Sequence, residues 1–506
     1  MSLRRLVIAL LLPIGSMSAQ VSGSSGRVAP STREVVGPVR LSLADALARA
    51  DSASEAVGIA RAGLGRAEAD RQRARASLLP QLNGSATYSR TIKSQFAGFA
   101  SSSSDTFPAP LNCGHYTPNP TLPLGQRLDS LERGLDCAAN GAGVDFSQLP
   151  FGRANTYNFG LSASQTLFHP GLRNQLAASA AARDAAEVGV VAERTRSVLD
   201  VAQAYFDAQL AERLLEIADS TLAQAERTFG QTRLEKSVGN VAEFDLLRAT
   251  VSRDNQRPVV IQRRAARERA FLRLRQLLDV PAGTSLTLTT PLGDTSQVAL
   301  PASVASGASD TVLEGRAPVR QAAAGLRASE ALVRSAEGSR LPSLALSSTY
   351  AKIAFPERVF GLNKFVTDWS VVLRMDVPLF TGGRLRADKL GAAASRDASA
   401  LRLRQAQEQA EREAADMRSD LVAAEATWSA SSGTAELASR AYGIADVRFR
   451  NGLSTLTELG DARIQLEQAL ANRAQAARDL QLARVRAALL RDLPFGTGTT
   501  AGPGGF

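Results

Sequence analysis

Histidine, cysteine and tryptophan are almost missing from this chain: each occurs twice in 506 residues. With only His115 and His169, a histidine-based metal centre has little to work with. A zinc site begun by Cys113 and His115 would lack two further ligands. No cofactor is expected. No Ser/His/Asp or Cys/His arrangement is visible, so no catalytic constellation marks the chain as an enzyme. Cys113 and Cys137 lie in one loop-like region, and in an exported protein they are candidates for a disulfide.

Long hydrophobic runs are also missing. Beyond the N-terminus no stretch approaches the roughly 18 apolar residues a membrane-spanning helix needs, so any membrane role must fall to β-strands. A concentrated basic patch is absent too. The formal net charge is +10, but the arginines are spread among glutamates along helical segments. That pattern is a solvated, salt-bridged helix surface and not a nucleic-acid footprint.

What is present begins with a leader. Arg4 and Arg5 precede the apolar run Leu6 to Ile14, and Ser16 to Ala19 provide a small-residue exit. Residues 1–19 therefore read as a secretory signal peptide, and the mature chain as exported. Residues 20–40 and 494–506 are rich in Gly, Ser, Pro and Thr and are expected to be flexible.

Internal repetition organises the rest. SLLPQLNGSATYS from Ser77 parallels SRLPSLALSSTYA from Ser339. LSASQTLFHPGLRNQLAASA from Leu161 parallels LRMDVPLFTGGRLRADKLGA from Leu373. Two glycine turns complete the match: VGNVAEFDLLRA at 238–249 and NGLSTLTELGDAR at 451–463. The order is kept, so the chain holds two copies of one unit, 41–279 and 314–493. A turn-rich linker at 280–313 joins them as a small side structure. The first copy carries an insert, roughly 91–153, whose Ser, Pro and Gly content predicts a large loop.

Period-two alternation predicts four strands, one hairpin per copy, at about 80–168 and 342–380. Tyr157, Phe159, Leu161 and Ala163 alternate with polar or small neighbours. So do Trp369, Val371, Leu373, Met375, Val377 and Leu379. Segments 172–236 and 384–450 have helix-favouring compositions without proline and would each span roughly 100 Å. Shorter helices are expected at about 42–78, 244–279, 314–340 and 455–491. Placed end to end, they would cover the apolar stripes of the long ones. Pro258 should kink or break the second of these.

Four amphipathic strands pose a physical problem, because a membrane sheet must close. Bacterial barrels begin at eight strands. Several chains must therefore contribute, and three favour a conducting interior over two.

The leader, the duplicated strand pairs and long helices, LLP and RLP at strand entry, TLFHPG and PLFTGG at strand exit, and the glycine turns together resemble the TolC-like outer-membrane efflux proteins. The resemblance covers about 41–493. It implies an α+β membrane protein: a homotrimer with a twelve-stranded β-barrel continuing into a long α-helical barrel, with a small mixed side domain. It implies an exit duct for a tripartite efflux pump or type I secretion system, set in outer-membrane lipid and reaching into the periplasm. The implied partners are a periplasmic adaptor, or membrane fusion protein, and an inner-membrane transporter. No nucleic acid is among them.

The resemblance also makes the glycine turns the periplasmic tips. The family's aromatic position matches Phe449, its glycine Gly452, its acids Glu458 and Asp461. In the first copy, Asp245 matches an acid that holds the closed state. Phe449 lacks the hydroxyl of the family's tyrosine, and Ser454 stands where a latch arginine is usual. Arg448, Arg450 and Arg463 are the nearby substitutes.

Simpler roles compete. Thr455 and Glu458 fit a T-x-x-E capping box, and Asn240 with Glu243 reads likewise. Asp461 lies too deep for capping. It shares a face with Glu458, where six carboxylates in a trimer would form a cation-selective ring. Gly239 and Gly452 suit tight turns and, with Ser454, adaptor docking. Trp369, Tyr157 and Phe159 suit a membrane-interface belt. The rival reading, a periplasmic coiled-coil adaptor or scaffold without a barrel, explains the helices but not the alternating strands.

Overall fold

The computed structural model describes residues 39–92, 120–140, 154–281, 283–293, 315–356 and 364–496. In chain order the elements are β1 (Val39–Leu41), α1 (Leu43–Ala53), α2 (Glu55–Ala76), β2 (Gln81–Arg90) and α3 (Leu124–Asn140). They continue with β3 (Asn155–Phe168), α4 (Pro170–Ser237), α5 (Glu243–Leu277), β4 (Leu286–Leu288) and α6 (Ala317–Gly338). The last are β5 (Ser343–Ala354), β6 (Phe365–Asp376), α7 (Arg384–Arg450) and α8 (Leu456–Leu489). The leader at 1–19 and Cys113 lie outside the described residues, as does the side chain of Cys137.

Two helices dominate. α4 has 68 residues and α7 has 67, so each runs about 100 Å. Neither could hold such a length alone. α2 and α5 pack along α4, while α6 and α8 pack along α7 and also reach α4. Their outer surfaces carry i,i+4 ion pairs such as Arg404–Glu408, Arg440–Glu436 and Arg450–Asp446. Among the described residues no helix is long and apolar enough to cross a membrane.

The main core lies midway along the helices. Tyr205 and Phe206 of α4 meet Leu47 of α1, Phe271 and Leu274 of α5, and Leu482, Val485 and Leu489 of α8. Here β1 pairs in parallel with β4, Val39 opposite Leu286. The Tyr205 hydroxyl ties both strands down: it donates to the Leu41 carbonyl at 3.1 Å and accepts from the Thr290 amide at 3.2 Å. Nearby, buried Arg316 donates to the Leu490 carbonyl at 3.2 Å and the Ala410 carbonyl at 3.0 Å, and pairs with Glu413 at 3.1 Å. One guanidinium thereby joins the start of α6, the middle of α7 and the end of α8.

Several expectations are corrected. Val39 and Arg40, placed in the flexible segment 20–40, belong to β1, because the linker at 280–313 supplies β4 as a pairing partner. Phe495 and Gly496, placed in the flexible tail, are held: the Phe495 ring lies under Arg316 and the Gly496 amide donates to Glu413 at 3.3 Å. The 91–153 insert is not all loop; it contains α3, whose apolar positions recur at helical spacing. The helix expected at 42–78 divides at Ser54, which ends α1 in extended backbone and caps α2 by accepting from the Val57 amide. α5 runs unbroken through Pro258. That proline is exposed, so water can satisfy the carbonyl it deprives of a donor.

Candidate functional site

β2, β3, β5 and β6 form one antiparallel sheet in that order. The register gathers the aromatic and most of the large aliphatic side chains on one face, with Ile353, Val366 and Val372 as exceptions on the other. Leu82, Leu161, Tyr350 and Trp369 lie on one face, as do Tyr88, Tyr157, Phe159, Phe365, Leu344, Leu346, Val371, Leu373 and Met375. The other carries Asn83, Ser85, Thr87, Asn158, Ser162, Ser164, Thr349, Asp368, Arg374 and Asp376. A bulge between Thr166 and Phe168 turns Phe168 onto the apolar face opposite Leu344.

The apolar face is uncovered: Trp369 is 72% and Leu373 62% exposed. Tyr157, Phe159 and Trp369 share it with three more aromatics that sequence reasoning did not single out. Tyr88 packs on Tyr157 with ring centroids 4.8 Å apart, Phe365 on Phe159 at 6.1 Å, and Tyr350 on Trp369 at 6.5 Å. All six gather toward the sheet end away from the helices. Among the described residues, strands β2 and β6 have no pairing partner on their outer edges.

At the far end of the molecule the two glycine turns are built alike. Gly239 has φ +82° and Gly452 φ +70°. In the first turn the Asn240 amide donates to the Glu235 carbonyl and the Gly239 amide to Lys236. In the second the Leu453 amide donates to Arg448 and the Gly452 amide to Phe449. Both are Schellman ends, which satisfy the last helical carbonyls and require the left-handed residue.

The following helix starts differ. Thr455 accepts from the Glu458 amide at 3.3 Å, so half of the expected capping box is present. Asn240 makes no such box: Ala242 occupies the cap position without a side-chain bond, and Glu243 pairs with Lys236 across the turn at 3.2 Å. Glu458 and Asp461 are both exposed, whereas Leu459 and Arg463 face inward. Asp245 and Phe449 are half-buried. Ser454 is also half-buried, and its hydroxyl has no hydrogen-bond partner among the described residues.

Between the hairpins lies a cavity of about 170 Å³ whose lining includes Arg248, Ser252, Tyr442, Asp461 and Arg463. Two bonds cross it. Arg463 donates to the Ser252 hydroxyl at 2.6 Å, and Arg248 to the Thr457 hydroxyl at 2.5 Å. Burial holds the Arg463 guanidinium below its usual pKa and pushes the Tyr442 phenol up. Of the three substitute arginines, Arg463 alone links α8 to α5. Arg448 bonds the Leu453 carbonyl and Arg450 pairs with Asp446 within its own hairpin. Arg248 was not foreseen, because nothing in local sequence marks its reach to the other copy.

A four-stranded antiparallel sheet with one largely apolar face, carried on long helices that end in paired turns, defines the class: a strand-and-long-helix framework. Comparison with known proteins makes the assignment specific. The model of the outer membrane efflux protein family matches residues 134–279 and 308–490, and the chain belongs to that family. It is 26% identical over 331 residues to nodulation protein T of Rhizobium leguminosarum bv. trifolii, covering 64% of this chain and 69% of that protein. It is 27% identical over 267 residues to the cation efflux system protein CusC of Escherichia coli K12, covering 52% of this chain and 57% of that one. The open-state MtrE outer membrane channel of Neisseria gonorrhoeae shares the fold, with TM-score 0.67, 20% identity and 89% of both chains covered. The chain is thus an efflux channel component of the bacterial outer membrane, extending into the periplasm.

Proposed function

We propose that three copies close into a twelve-stranded barrel in the outer membrane, continuous with a helical tunnel through the periplasm. This duct is the exit of a tripartite efflux pump or type I secretion system, completed by a periplasmic adaptor and an inner-membrane transporter. The observation that carries the reading is the sheet: one apolar face, one polar face and two unpaired edges. In lipid those edges must be paired, and another copy of the chain is the partner that offers the complementary edge. In this arrangement the polar face lines the lumen, and the aromatic cluster sits at the outward interface. A coiled-coil adaptor without a barrel would have no use for such a sheet.

At the tips, Glu458 and Asp461 project from one exposed face, so three chains place six carboxylates around the entrance. Asp245 and Phe449 flank that constriction. Gly239, Gly452 and Ser454 form the surface that receives the adaptor hairpins. Arg463 with Ser252, and Arg248 with Thr457, hold the two hairpins of one chain together in place of the family's arginine latch.

The test is twofold. The protein should fractionate with outer membranes as a heat-modifiable trimer; a monomer in the soluble periplasmic fraction ends the reading. In planar bilayers, Glu458→Gln with Asp461→Asn should reduce cation preference several-fold and relieve block by divalent cations. Unchanged selectivity removes the ring while leaving the duct.

A further inference from the structure

The apolar face of the sheet carries no carboxylate: Asp368 and Asp376 both belong to the opposite face. It does carry two cations, Lys352 and Arg90, and both lie at the end with the aromatic cluster. Lys352 is exposed and has no ion-pair or hydrogen-bond partner among the described residues. It stands in one cross-strand row with Phe159 and Ala86. One row closer to the helices, Gly84 opposes Leu161, leaving a gap where a side chain would stand. The result is an open groove of about 440 Å³, lined by Gly84, Ala86, Phe159, Leu161, Tyr350 and Lys352.

The walls of this groove are apolar, its rim is aromatic, and its only charged lining residue is the ammonium of Lys352. An ammonium with no carboxylate beside it among the described residues, set against apolar surface, is matched by a molecule that is anionic at one end and hydrocarbon along its length. Strand geometry puts Arg90 four residues further along and two strands away, roughly 16 Å from Lys352, within reach of a second phosphate on one large headgroup. At the outward interface of a barrel, the row of Tyr88, Tyr157 and Phe365 marks the headgroup level, and the groove, one to two rows closer to the helices, reaches toward the acyl level.

We propose that this groove is a binding site for a phosphate-bearing lipid of the outward-facing leaflet. Its acyl chain lies over Gly84 and Leu161, one phosphate pairs with Lys352, and Arg90 takes a second. The inference rests on the reading that the sheet is a membrane barrel. A zwitterionic lipid fits less well, because its own ammonium would face Lys352.

The experiment is native mass spectrometry of the detergent-solubilised assembly, titrated with diphosphoryl lipid A, its dephosphorylated counterpart, phosphatidylethanolamine and inorganic phosphate. The diphosphoryl lipid should bind at least tenfold more tightly than the dephosphorylated one. Lys352→Gln should remove most of that preference. Gly84→Leu should fill the groove and weaken both acylated ligands by a similar factor. Gly84 has no left-handed backbone, and an added Cβ meets only Leu161 at 3.6 Å, so this variant is expected to fold; its heat-modifiable band checks that. Equal binding of phosphorylated and dephosphorylated lipids, or full preference in Lys352→Gln, overturns the site. Competition by inorganic phosphate at the lipid's own affinity does so too, because it leaves the groove unused. A chain that never forms a membrane trimer overturns the duct and this site together; a trimer whose binding ignores Lys352 overturns the site alone.

Discussion

The two copies of the repeat solve the same problems with different residues. At the tips the backbone solution is shared: a left-handed glycine and the same pair of amide-to-carbonyl bonds end α4 and α7. The start of the next helix is not shared, since Thr455 caps α8 while Ala242 leaves α5 uncapped. Where strand passes into helix, the difference is larger. The second copy uses two left-handed glycines, Gly382 at φ +59° and Gly383 at φ +87°. The first uses His169, whose Nδ1 accepts from the Leu172 amide, followed by Pro170 at the first helical position. Gly171, the last residue of the strand-exit motif TLFHPG, lies inside the first turn of α4. Its lack of a side chain serves packing: a Cβ on Gly171 would lie 3.0 Å from His169 Cε1 and 3.1 Å from the Ser335 carbonyl, and a Cβ on the facing Gly338 would lie 2.7 Å from the Gly171 amide nitrogen. One glycine motif thus serves conformation in one copy and close approach in the other.

The largest test of that contrast is Gly338→Ala. The clash is with backbone and cannot be relieved by turning a side chain, so the loss should be about 2–3 kcal/mol, the upper part of the overpacking range. A melting-temperature series on the solubilised assembly reads it. At Gly382 or Gly383, where a Cβ meets nothing within 4 Å, alanine should cost only the strain of positive φ, about 1–2 kcal/mol. Should Gly338→Ala prove the milder change, the packing role assigned to Gly171 and Gly338 is wrong.

Next comes the bond between hairpins. Arg463→Ala removes the Ser252 contact and should destabilise the tips by about 1–2 kcal/mol. Hydrogen exchange should then rise across α5 and α8 near the tips and stay constant at the equatorial core. Uniform protection across both regions would mean that Arg463 does not hold the hairpins together.

Gly239→Ala and Gly452→Ala should each cost about 1 kcal/mol, because both sites have open space and similar φ. Unequal losses would show that the shared turn is energetically different in the two copies. A bulky change at Gly452 should reduce adaptor capture in pull-downs more than trimer formation; parallel losses would argue against docking there.

The smallest effect concerns the caps. Thr455→Ala should cost about 0.5–1 kcal/mol and Ala242→Ser should recover a similar amount in the first copy. Denaturant titration of the tip would detect both, and a neutral Thr455→Ala would mean the cap bond contributes nothing.

Much of this architecture was legible in the chain. Alternation at Tyr157 to Ala163 and Trp369 to Met375 marked strands, since period two survives any partner. The tip glycines were legible because positive φ is a local demand. Pro258 misled, because a local rule about helix interiors ignores that an exposed proline leaves its orphaned carbonyl to water. Asn240 misled because a T-x-x-E-like spacing does not choose which residue begins the helix. The bonds from Arg248 to Thr457 and from Arg463 to Ser252 span more than 200 residues. No spacing rule reaches that far.

By itself the sequence determined that the chain is doubled, carries paired strands and runs along helices about 100 Å long, because composition and periodicity act over a few residues at a time. The tertiary structure alone decided which arginine faces inward, which glycine admits a neighbouring helix, and that Lys352 falls on the opposite face of the sheet from Asp368 and Asp376. Those outcomes depend on the register between distant elements, and a shift of one residue would send each side chain to the other face.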